Sequence, residues 1–400
     1  MHADHVSRRG FLSTSAVTAG AALASRGAAL GQDEENKPVE VAENDKISIG
    51  MIGVGGRGRG HVAQLLKIPW AKITAICDID ATNLNSAVDM VERAQEHRPK
   101  MYDAGPEDYK NLLADKDIDA ISSALPCDIH AQVYLDTIAA GKHIYGEKPM
   151  ALTVADCNAI VAAQEKNPEL VVQIGFQWRA DPKNQELVKR VQEGQIGELY
   201  DFRGARSSRD IIGKPQEGPR VWLGRRARSG DWMLEQACHD WDLFNWFAGQ
   251  KLPLRASGFG RRDLVKHIDP ERDVTDYYKA IIEYPGGIVF DWLHNWQSPY
   301  RDKGVFSKGY RQVAGTKGAI DIDSGRIYPM TPNGSIDLVK PLGRDPSEES
   351  FAGFVDAVRN KKKPVSGVYN GRDAVLVGLL VRTAVDTKRT VTMEEILAQG

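Results

Sequence analysis

The chain has 400 residues, of which 42% are hydrophobic and 26% charged, and its formal net charge is −2. This composition is typical of a soluble globular protein and argues against a basic surface for nucleic acid or an anionic membrane. The four cysteines show no CxxC pairing, so we expect core thiols and neither a disulfide framework nor a zinc site.

Residues 1–31 have the layout of a bacterial twin-arginine export signal. Arg8 and Arg9 precede an alanine-rich segment that is too short and glycine-interrupted to be a good membrane span. The alternative is a disordered tail that contains two arginines by chance. We expect a periplasmic or otherwise exported protein with no stable membrane insertion after cleavage, and a mobile arm over residues 32–45.

A glycine-rich turn joins the first predicted strand to the first predicted helix. Gly53, Gly55 and Gly58 fit G-x-G-x-x-G, in which the glycines permit a tight turn, the approach of a pyrophosphate and close helix packing. With Gly56 and Arg57, they form the predicted phosphate site at a helix N-terminus. Such a turn can also be only a turn, but the apolar strand before it and the helical spacing after it favour a nucleotide site.

Asp78 ends the second predicted strand, roughly 20 residues after this loop. A carboxylate at that position accepts hydrogen bonds from the adenosine ribose and repels a 2′-phosphate. The sequence therefore predicts NAD rather than NADP as cofactor.

From residue 46 to residue 175, short apolar runs alternate with amphipathic stretches, which predicts a doubly wound parallel sheet. The predicted strands are Ile47–Gly53, Ile73–Cys77, Lys100–Tyr102, Ala120–Ala124, His143–Tyr145 and Val171–Gly175. The predicted helices occupy residues 57–67, 80–97, 106–114, 130–140 and 153–166.

Two further stretches follow strands of this sheet, where ligands bind. The first places Pro126 at a strand end and His130 in the first helical turn, where the imidazole can lie beside a cofactor ribose or make structural hydrogen bonds. The second is Glu147-Lys148-Pro149. Burial and nearby charge can lower the pKa of such a lysine, so that it donates to a substrate oxygen or assists a proton relay. The alternative is a surface lysine.

Beyond residue 175 the pattern favours an open, mostly antiparallel sheet. The predicted strands are Leu199–Ser207, Leu254–Arg262, Asp276–Tyr284, Ile288–Trp296, Gly309–Gly315, Ala319–Asp323 and Ile336–Val339. Helices are predicted near residues 182–193, 233–248, 348–359 and 371–387. The predicted fold is α/β, with a Rossmann domain over residues 46–175 and an α+β domain over residues 176–400.

A second chemical centre lies in this part of the chain. Glu235 and His239 are four residues apart on one predicted helix, so the carboxylate and the imidazole can meet or converge on one ligand. The alternative is an ordinary polar helix face. The residues predicted to bind substrate are Trp178, Arg179, Arg206, Trp232 and Asp242, although each tryptophan can equally be part of the core.

These motifs resemble those of the glucose-fructose oxidoreductase, inositol dehydrogenase and MocA family (Gfo/Idh/MocA). GVGGRG, the aspartate that ends the second strand, LPCDIH and above all AGKHIYGEKPMALT carry the resemblance, which covers nearly the whole chain after the signal. It implies a catalytic Lys148, with Glu147 and Pro149 at the nicotinamide site, and an acid/base His239. The family has aspartate where this chain has Glu235. The resemblance also implies oligomer contacts through the C-terminal sheet.

The predicted function is NAD-dependent oxidation of a hydroxyl on a sugar, glycoside or cyclitol. His239 accepts the proton, Lys148 polarises the oxygen and Glu235 orients the pair. Because free NAD is not expected to be recycled outside the cytoplasm, we expect it to stay bound and to be restored in the same site. Two alternatives stay open: an NAD-dependent glycosidase that uses transient oxidation and elimination, and a non-catalytic sugar-binding protein. The expected partners are a carbohydrate or cyclitol and further copies of the chain, without nucleic acid or metal.

Overall fold

The computed structural model describes residues 41–208, 218–299 and 306–400. The predicted export signal and most of the predicted mobile arm lie outside these ranges. In the part of the chain that is described, no helix combines the length and the apolar character needed to cross a membrane.

The first half of the chain forms a parallel sheet flanked by helices. Its elements are β1 (Ile47–Ile52), α1 (Gly56–Leu65), β2 (Ala71–Cys77), α2 (Ala81–Gln95), β3 (Lys100–Tyr102), α3 (Tyr109–Ala114), β4 (Ala120–Ser123), α4 (His130–Ala139), β5 (His143–Gly146), α5 (Val154–Lys166) and β6 (Val172–Ile174). The strand order is β3-β2-β1-β4-β5-β6, and all pairs are parallel. The order reverses between β1 and β4, so the ligand crevice is expected at the carboxyl ends of these two strands.

The rest of the chain forms a second sheet and its helices. The elements are α6 (Pro182–Gln192), β7 (Leu199–Ser207), α7 (Arg226–Ser229), α8 (Trp232–Glu235), α9 (Cys238–Phe247), β8 (Arg255–Arg261), β9 (Tyr277–Tyr284), β10 (Ile288–Asn295), β11 (Tyr310–Gly315), β12 (Gly318–Asp321), β13 (Arg326–Pro329), β14 (Asp337–Leu338), α10 (Ser347–Asn360), α11 (Val368–Thr387), β15 (Val391–Thr392) and α12 (Met393–Leu397). The strand order is β14-β13-β12-β11-β7-β10-β9-β8-β15. Strands β7 and β10 pair in parallel and the other described pairs are antiparallel, which confirms the predicted fold class.

One face of the second sheet is buried and the other is open. Strands β9 and β10 alternate between buried and exposed residues because successive side chains of a strand point to opposite faces. On the inner face Trp241 of α9 packs against Phe290 and Trp292, and burying each such ring contributes roughly 1.5–3 kcal/mol. On the outer face Ile281 and Val289 are 50% and 43% exposed.

The structure differs from the sequence prediction at two helices. The helix predicted over residues 233–248 is interrupted between α8 and α9, and Asp231 caps α8 with a φ of 75°. Helix α10, predicted as part of the second domain, packs back against the first sheet, where Phe351 stacks on Tyr145 with ring centroids 4.1 Å apart. The division into domains at residue 175 therefore stays a prediction. The four cysteines are buried and free, as expected.

Candidate active site

The glycine loop is closed toward the protein and open on its other side. Gly53 has a φ of 79°, and a Cβ there would lie 2.5 Å from the carbonyl oxygen of Ala124. A Cβ on Gly58 would lie 2.0 Å from the carbonyl oxygen of Gly53. By contrast, the nearest atom to a Cβ on Gly55 would be 4.0 Å away, and none lies within 4 Å of one on Gly56. The turn thus requires glycine on its packed side and leaves room for phosphates on its open side.

Asp78 is fixed beside this loop by backbone amides. The N–H of Val54 donates to Oδ2 at 2.7 Å, and the N–H of Asp80 donates to Oδ1 at 2.8 Å. The neighbouring Ile79 is 71% exposed and offers an apolar surface next to the carboxylate. Ile79 is not among the cofactor-binding residues predicted from the sequence. Its position directly after the predicted ribose-binding residue could have indicated it.

Glu147 connects the glycine loop and α1 to the end of β5. Its Oε1 accepts from Nε of Arg57 at 2.5 Å and from Nε2 of His61 at 3.0 Å. Because a carboxylate only accepts, Nε2 carries the imidazole proton, and Nδ1 then accepts from the Ser122 hydroxyl at 3.0 Å. Burial by itself raises the pKa of Glu147, but Arg57 and His61 outweigh it and hold that pKa well below its ordinary value. Direct contact of Glu147 or Arg57 with the cofactor stays a prediction.

His130 bridges the two loops that follow β4 and β5. One ring nitrogen lies 2.7 Å from the carbonyl oxygen of Pro149, and the other lies 2.8 Å from that of Leu125. Pro126 precedes a short 3₁₀ helix, Cys127–Ile129, that leads into α4. Of the two roles that the sequence left open for His130, the structure shows the hydrogen-bonding one; contact with a ribose stays a prediction.

Lys148 reaches from the first sheet to the end of α8. Its Nζ donates to the backbone carbonyl oxygen of Glu235 and, at 3.2 Å, to Oε1 of the same residue. Burial alone lowers the pKa of Lys148, but the Glu235 carboxylate outweighs it and raises that pKa above its ordinary value. The direction is opposite to the one expected from the sequence, because the Glu235 carboxylate contacts the ammonium group directly. Lys148 is therefore a cation that donates.

His239 is the second residue of α9 and is 9% exposed. Its ring centroid lies 5.1 Å from that of Trp178. Burial and the cationic Lys148 and Arg206 hold the pKa of His239 well below its ordinary value, so the imidazole is neutral and can accept a proton. Nδ1 of His239 and Oε2 of Glu235 are buried without a hydrogen-bond partner among the described residues. Glu235 is paired with Lys148 and not with His239, because the helix is interrupted between them.

Two arginines and Trp178 form a wall next to His239. The buried carboxylate of Asp240 accepts from Nε of Arg206 at 3.2 Å and from Nε of Arg311 at 2.5 Å. The guanidinium carbons lie 5.7 Å and 4.4 Å from the centroid of the Trp178 ring. Arg311 comes from β11, far along the chain, and no local pattern in the sequence identified it.

The other predicted substrate residues have partners within the protein. Nε of Arg179 donates to both carboxylate oxygens of Asp242, at 2.9 Å and 2.8 Å, and both side chains are buried. Trp232 is buried against Trp296. These contacts give all three residues structural roles, and their contact with substrate stays a prediction.

The residues present fit a dinucleotide cofactor. The open glycine turn at the N-terminus of α1 and the fixed carboxylate of Asp78 suit a pyrophosphate and a ribose. Glu235 and His239, each with an unpartnered buried atom, neighbour Lys148, which follows the carboxyl end of β5. These would be the residues that hold NAD and face its reactive end.

Family models match two segments of the chain. Residues 47–176 match the oxidoreductase family with an NAD-binding Rossmann fold, and residues 184–321 match the GFO/IDH/MocA C-terminal domain. Together the segments cover about two thirds of the chain.

Curated relatives match to different extents. The uncharacterized oxidoreductase YrbE of Bacillus subtilis is 29% identical over 85% of this chain and 93% of that protein. A glycosyl hydrolase family 109 protein of Shewanella baltica is 32% identical over 40% of this chain, and the match spans only 35% of that relative. Inositol 2-dehydrogenase of Salmonella typhimurium is 30% identical over 51% of this chain and 55% of that protein.

Solved structures share the fold across most of the chain. An oxidoreductase domain protein from Kribbella flavida has a TM-score of 0.74 at 22% identity, covering 87% of this chain and 99% of that one. The aldose-aldose oxidoreductase from Caulobacter crescentus has a TM-score of 0.71 at 20% identity, and levoglucosan dehydrogenase in complex with NADH and levoglucosan has 0.72 at 18%, both with the same coverage. The family models, with the likeness of fold, establish that this chain belongs to the Gfo/Idh/MocA family of oxidoreductases and that its cofactor is NAD.

Proposed function

We propose that the protein oxidises a hydroxyl group of a sugar, glycoside or cyclitol and that it keeps its NAD bound between turnovers. The observation that carries the proposal is that a cationic Lys148, held by Glu235, lies close enough to a neutral, buried His239 to lower its pKa. Inositol 2-dehydrogenase among the relatives, and the two sugar oxidoreductases among the solved structures, support a polyhydroxylated substrate.

The chemistry divides among three side chains. When bound, NAD supplies an acceptor for the hydride that leaves the hydroxyl-bearing carbon. The ammonium of Lys148 donates a hydrogen bond to the substrate oxygen and stabilises the negative charge that develops there. His239 accepts the hydroxyl proton because its imidazole is neutral. Glu235 anchors Lys148 through Oε1 and keeps it protonated, while Oε2 is available to accept from a neighbouring substrate hydroxyl.

Retention of NAD follows from the proposed export. The twin-arginine route carries folded proteins, so cofactor acquired in the cytoplasm would leave with the protein. A second substrate would then be reduced in the same site to restore the cofactor, and the aldose-aldose oxidoreductase, named for two aldoses, is a precedent for such a pair. Replacing Arg8 and Arg9 with lysine should retain the folded precursor in the cytoplasm, which fractionation detects. Unchanged export would contradict this localisation.

A redox-neutral glycosidase cycle is the second candidate, because glycosyl hydrolase family 109 proteins are among the relatives. In such a cycle transient oxidation acidifies the neighbouring C–H bond, the glycosidic group is eliminated, and water adds before the oxidation is reversed. The match to that relative is partial, so we favour the oxidoreductase.

One labelling experiment tests both candidates. Protein purified with its bound NAD is incubated with a panel of glycans, and products are identified by mass spectrometry. A substrate deuterated at the oxidised carbon should yield deuterated reduced product without added NAD. Solvent hydrogen exchange at the adjacent carbon, together with release of the aglycone, would instead identify the glycosidase. Stoichiometric NADH in solution would contradict the bound cofactor, and absence of any nucleotide would favour a binding protein.

Association of copies through the second sheet is a further part of the proposal. The outer face of that sheet exposes Phe259, Ile281 and Val289, and an exposed apolar face of this kind is typical of an interface. Replacing Ile281 and Val289 with aspartate should convert the assembly to monomers in light scattering; an unchanged mass would place the interface elsewhere.

A further inference from the structure

Four buried side chains lie together, and one of them begins the short helix α8 that ends at Glu235. They are Trp232 at the start of α8, Arg272 before β9, His294 in β10 and Trp296 after it, and none is more than 5% exposed. The two indole ring centroids lie 4.5 Å apart, and those of His294 and Trp296 lie 5.2 Å apart. The guanidinium carbon of Arg272 lies 5.7 Å from the Trp232 ring. We call these four residues the donor cluster.

Nitrogen atoms of the donor cluster are buried without partners. The atoms that have no hydrogen-bond partner among the described residues are Nε1 of Trp232, Nε1 of Trp296, Nη1 and Nη2 of Arg272, and Nε2 of His294. Indole and guanidinium nitrogens donate and cannot accept. Buried polar groups are nearly always hydrogen-bonded, so several orphan donors in one cluster indicate a missing acceptor.

His294 supplies another donor to the cluster. Burial and the charge of Arg206 hold the pKa of His294 well below its ordinary value, so the ring is neutral. The indole N–H of Trp292 donates to the hydroxyl oxygen of Tyr278 at 3.2 Å. The hydroxyl proton is then available to Nδ1 of His294, 3.1 Å away, which leaves the single imidazole proton on Nε2.

We infer that the donor cluster binds an oxyanion, the carboxylate or sulfate group of an acidic sugar. A group with several acceptor oxygens and no proton complements a set of donors, and charge-assisted hydrogen bonds are the stronger ones. A neutral sugar hydroxyl is a poorer complement, because it brings a proton for which the cluster has no acceptor. The charge of Arg272 is partly compensated by Asp276, which accepts from Nε at 2.7 Å, but the field of Arg206 at His294 is also positive.

The donor cluster adjoins the chemical centre along the chain and across the sheet. Trp232 and Glu235 are the first and last residues of α8. Arg206 is paired with His294 in the parallel register of β7 and β10, and its Nη1 donates to Gln236 at 2.7 Å. A sugar held at Lys148 can therefore direct an acidic substituent toward the cluster. The inference rests on the proposed sugar-oxidising function and narrows its substrates to acidic sugars.

Calorimetry on the NAD-loaded protein measures this binding without turnover. The probes are the methyl glycosides of glucuronic and galacturonic acid, the methyl glycosides of glucose and galactose, and inorganic sulfate. We expect at least one acidic glycoside to bind about tenfold more tightly than its neutral counterpart, as one additional hydrogen bond to a charged group provides. Sulfate should compete with the acidic glycoside and leave NAD bound.

Two conservative variants test the cluster itself. Trp232→Phe and Trp296→Phe each remove one N–H donor and retain an aromatic ring. Each should reduce the ratio of acidic-glycoside affinity to neutral-glycoside affinity by about tenfold. Trp70→Phe, a partly buried indole that packs in the first sheet's core, is the matched control and should leave the preference intact.

Each calorimetric outcome either supports or overturns the proposed oxyanion site. Loss of the acidic preference in both cluster variants and not in the control supports it. Equal affinity for acidic and neutral glycosides, or a preference that survives both variants, overturns it. Sulfate binding without a preference among the sugars also overturns it, because the cluster would then hold a free anion rather than a substrate group. Since these are binding measurements, they stand even if the proposed oxidation fails.

Discussion

Two buried carboxylates flank Lys148, Glu147 before it in the chain and Glu235 across from it in space. Glu147 uses both oxygens: Oε1 accepts from Arg57 and His61, and Oε2 accepts from the backbone N–H of Lys148 at 3.2 Å. Glu235 accepts from Lys148 through Oε1, whereas its Oε2 has no partner among the described residues. Glu147 thus belongs to a completed network and Glu235 to an incomplete one.

This difference indicates that Glu147 has a structural role and that Glu235 has a role in binding or catalysis. A completed buried network fixes geometry, because every polar group in it loses hydrogen bonds if the network moves. Unpartnered buried groups such as Oε2 of Glu235 and Nδ1 of His239 are costly to the free protein. A fold that bears this cost is organised for a ligand that completes the hydrogen bonds.

The largest expected effect is on turnover at the incomplete network. Lys148→Ala and His239→Ala should each reduce the rate of sugar oxidation by about 10²- to 10⁴-fold, the usual contribution of a general acid or base. NAD should stay bound. The free energy of unfolding should change little in His239→Ala and should fall in Lys148→Ala, which leaves the buried Glu235 carboxylate without its cation. Single-turnover kinetics, mass spectrometry of released nucleotide and urea unfolding measure the three quantities. Lys110→Ala, an exposed lysine, is the control; an equal loss of rate there would refute the assignment.

The sequence predicted the parts of the candidate site that are contiguous in the chain. The glycine loop, Asp78 and Lys148 each occupy a motif whose spacing follows from strand, turn and helix geometry. The residues that were not predicted come from other parts of the chain. Arg311 lies in β11 and contacts Asp240, and His61 lies in α1 and contacts Glu147, which follows β5. Such contacts depend on packing of separate elements, and no periodicity in one segment encodes them.

Local backbone conformation accounts for another error in the sequence prediction. One continuous helix was expected to bring Glu235 and His239 together. Instead α8 ends at Glu235 and α9 begins at Cys238, and between them the N–H of Ala237 donates to the carbonyl oxygen of Trp232, five residues back, at 2.9 Å. An α-helical bond would reach four residues back, and hydrophobic spacing along the segment does not reveal such a local irregularity.

Matched substitutions of the two glutamates test whether Glu147 is structural and Glu235 is catalytic. Glu147→Gln should lower the free energy of unfolding by about 1–3 kcal/mol, because Arg57 and His61 lose a charged acceptor, and it should weaken NAD retention. Glu235→Gln should lower it less and should mainly reduce turnover per bound NAD. Urea unfolding and nucleotide release distinguish the variants. The reverse pattern would assign the structural role to Glu235.

The pH dependence of turnover in alkaline solution tests whether Glu235 keeps Lys148 protonated. In the wild type the Glu235 carboxylate raises the pKa of Lys148 against the effect of burial. Glu235→Gln removes that charge, so burial should lower the pKa and Lys148 should lose its proton at a lower pH. We expect turnover to fall at a lower alkaline pH in Glu235→Gln than in the wild type. A profile that does not move would mean that Lys148 is not the titrating group.

The smallest expected effect concerns stability in mild acid and contrasts the histidines with Glu147. Burial depresses the pKa of His239 and His294 below the ordinary value of 6.5, so below that pH the unfolded chain binds more protons than the folded one. The free energy of unfolding should therefore decrease as pH falls through 6.5, by at most about 1.4 kcal/mol per pH unit for each histidine. The depressed pKa of Glu147 acts in a lower pH range, because its stabilisation is complete above the ordinary value of 4.5 and is lost as pH falls below it.

His239→Gln should remove one histidine's share of the slope between pH 6.5 and 5 and leave the decline below pH 4.5 unchanged. Urea titrations at several pH values measure both windows, and an unaltered slope in the upper one would show that His239 is not held neutral by the fold.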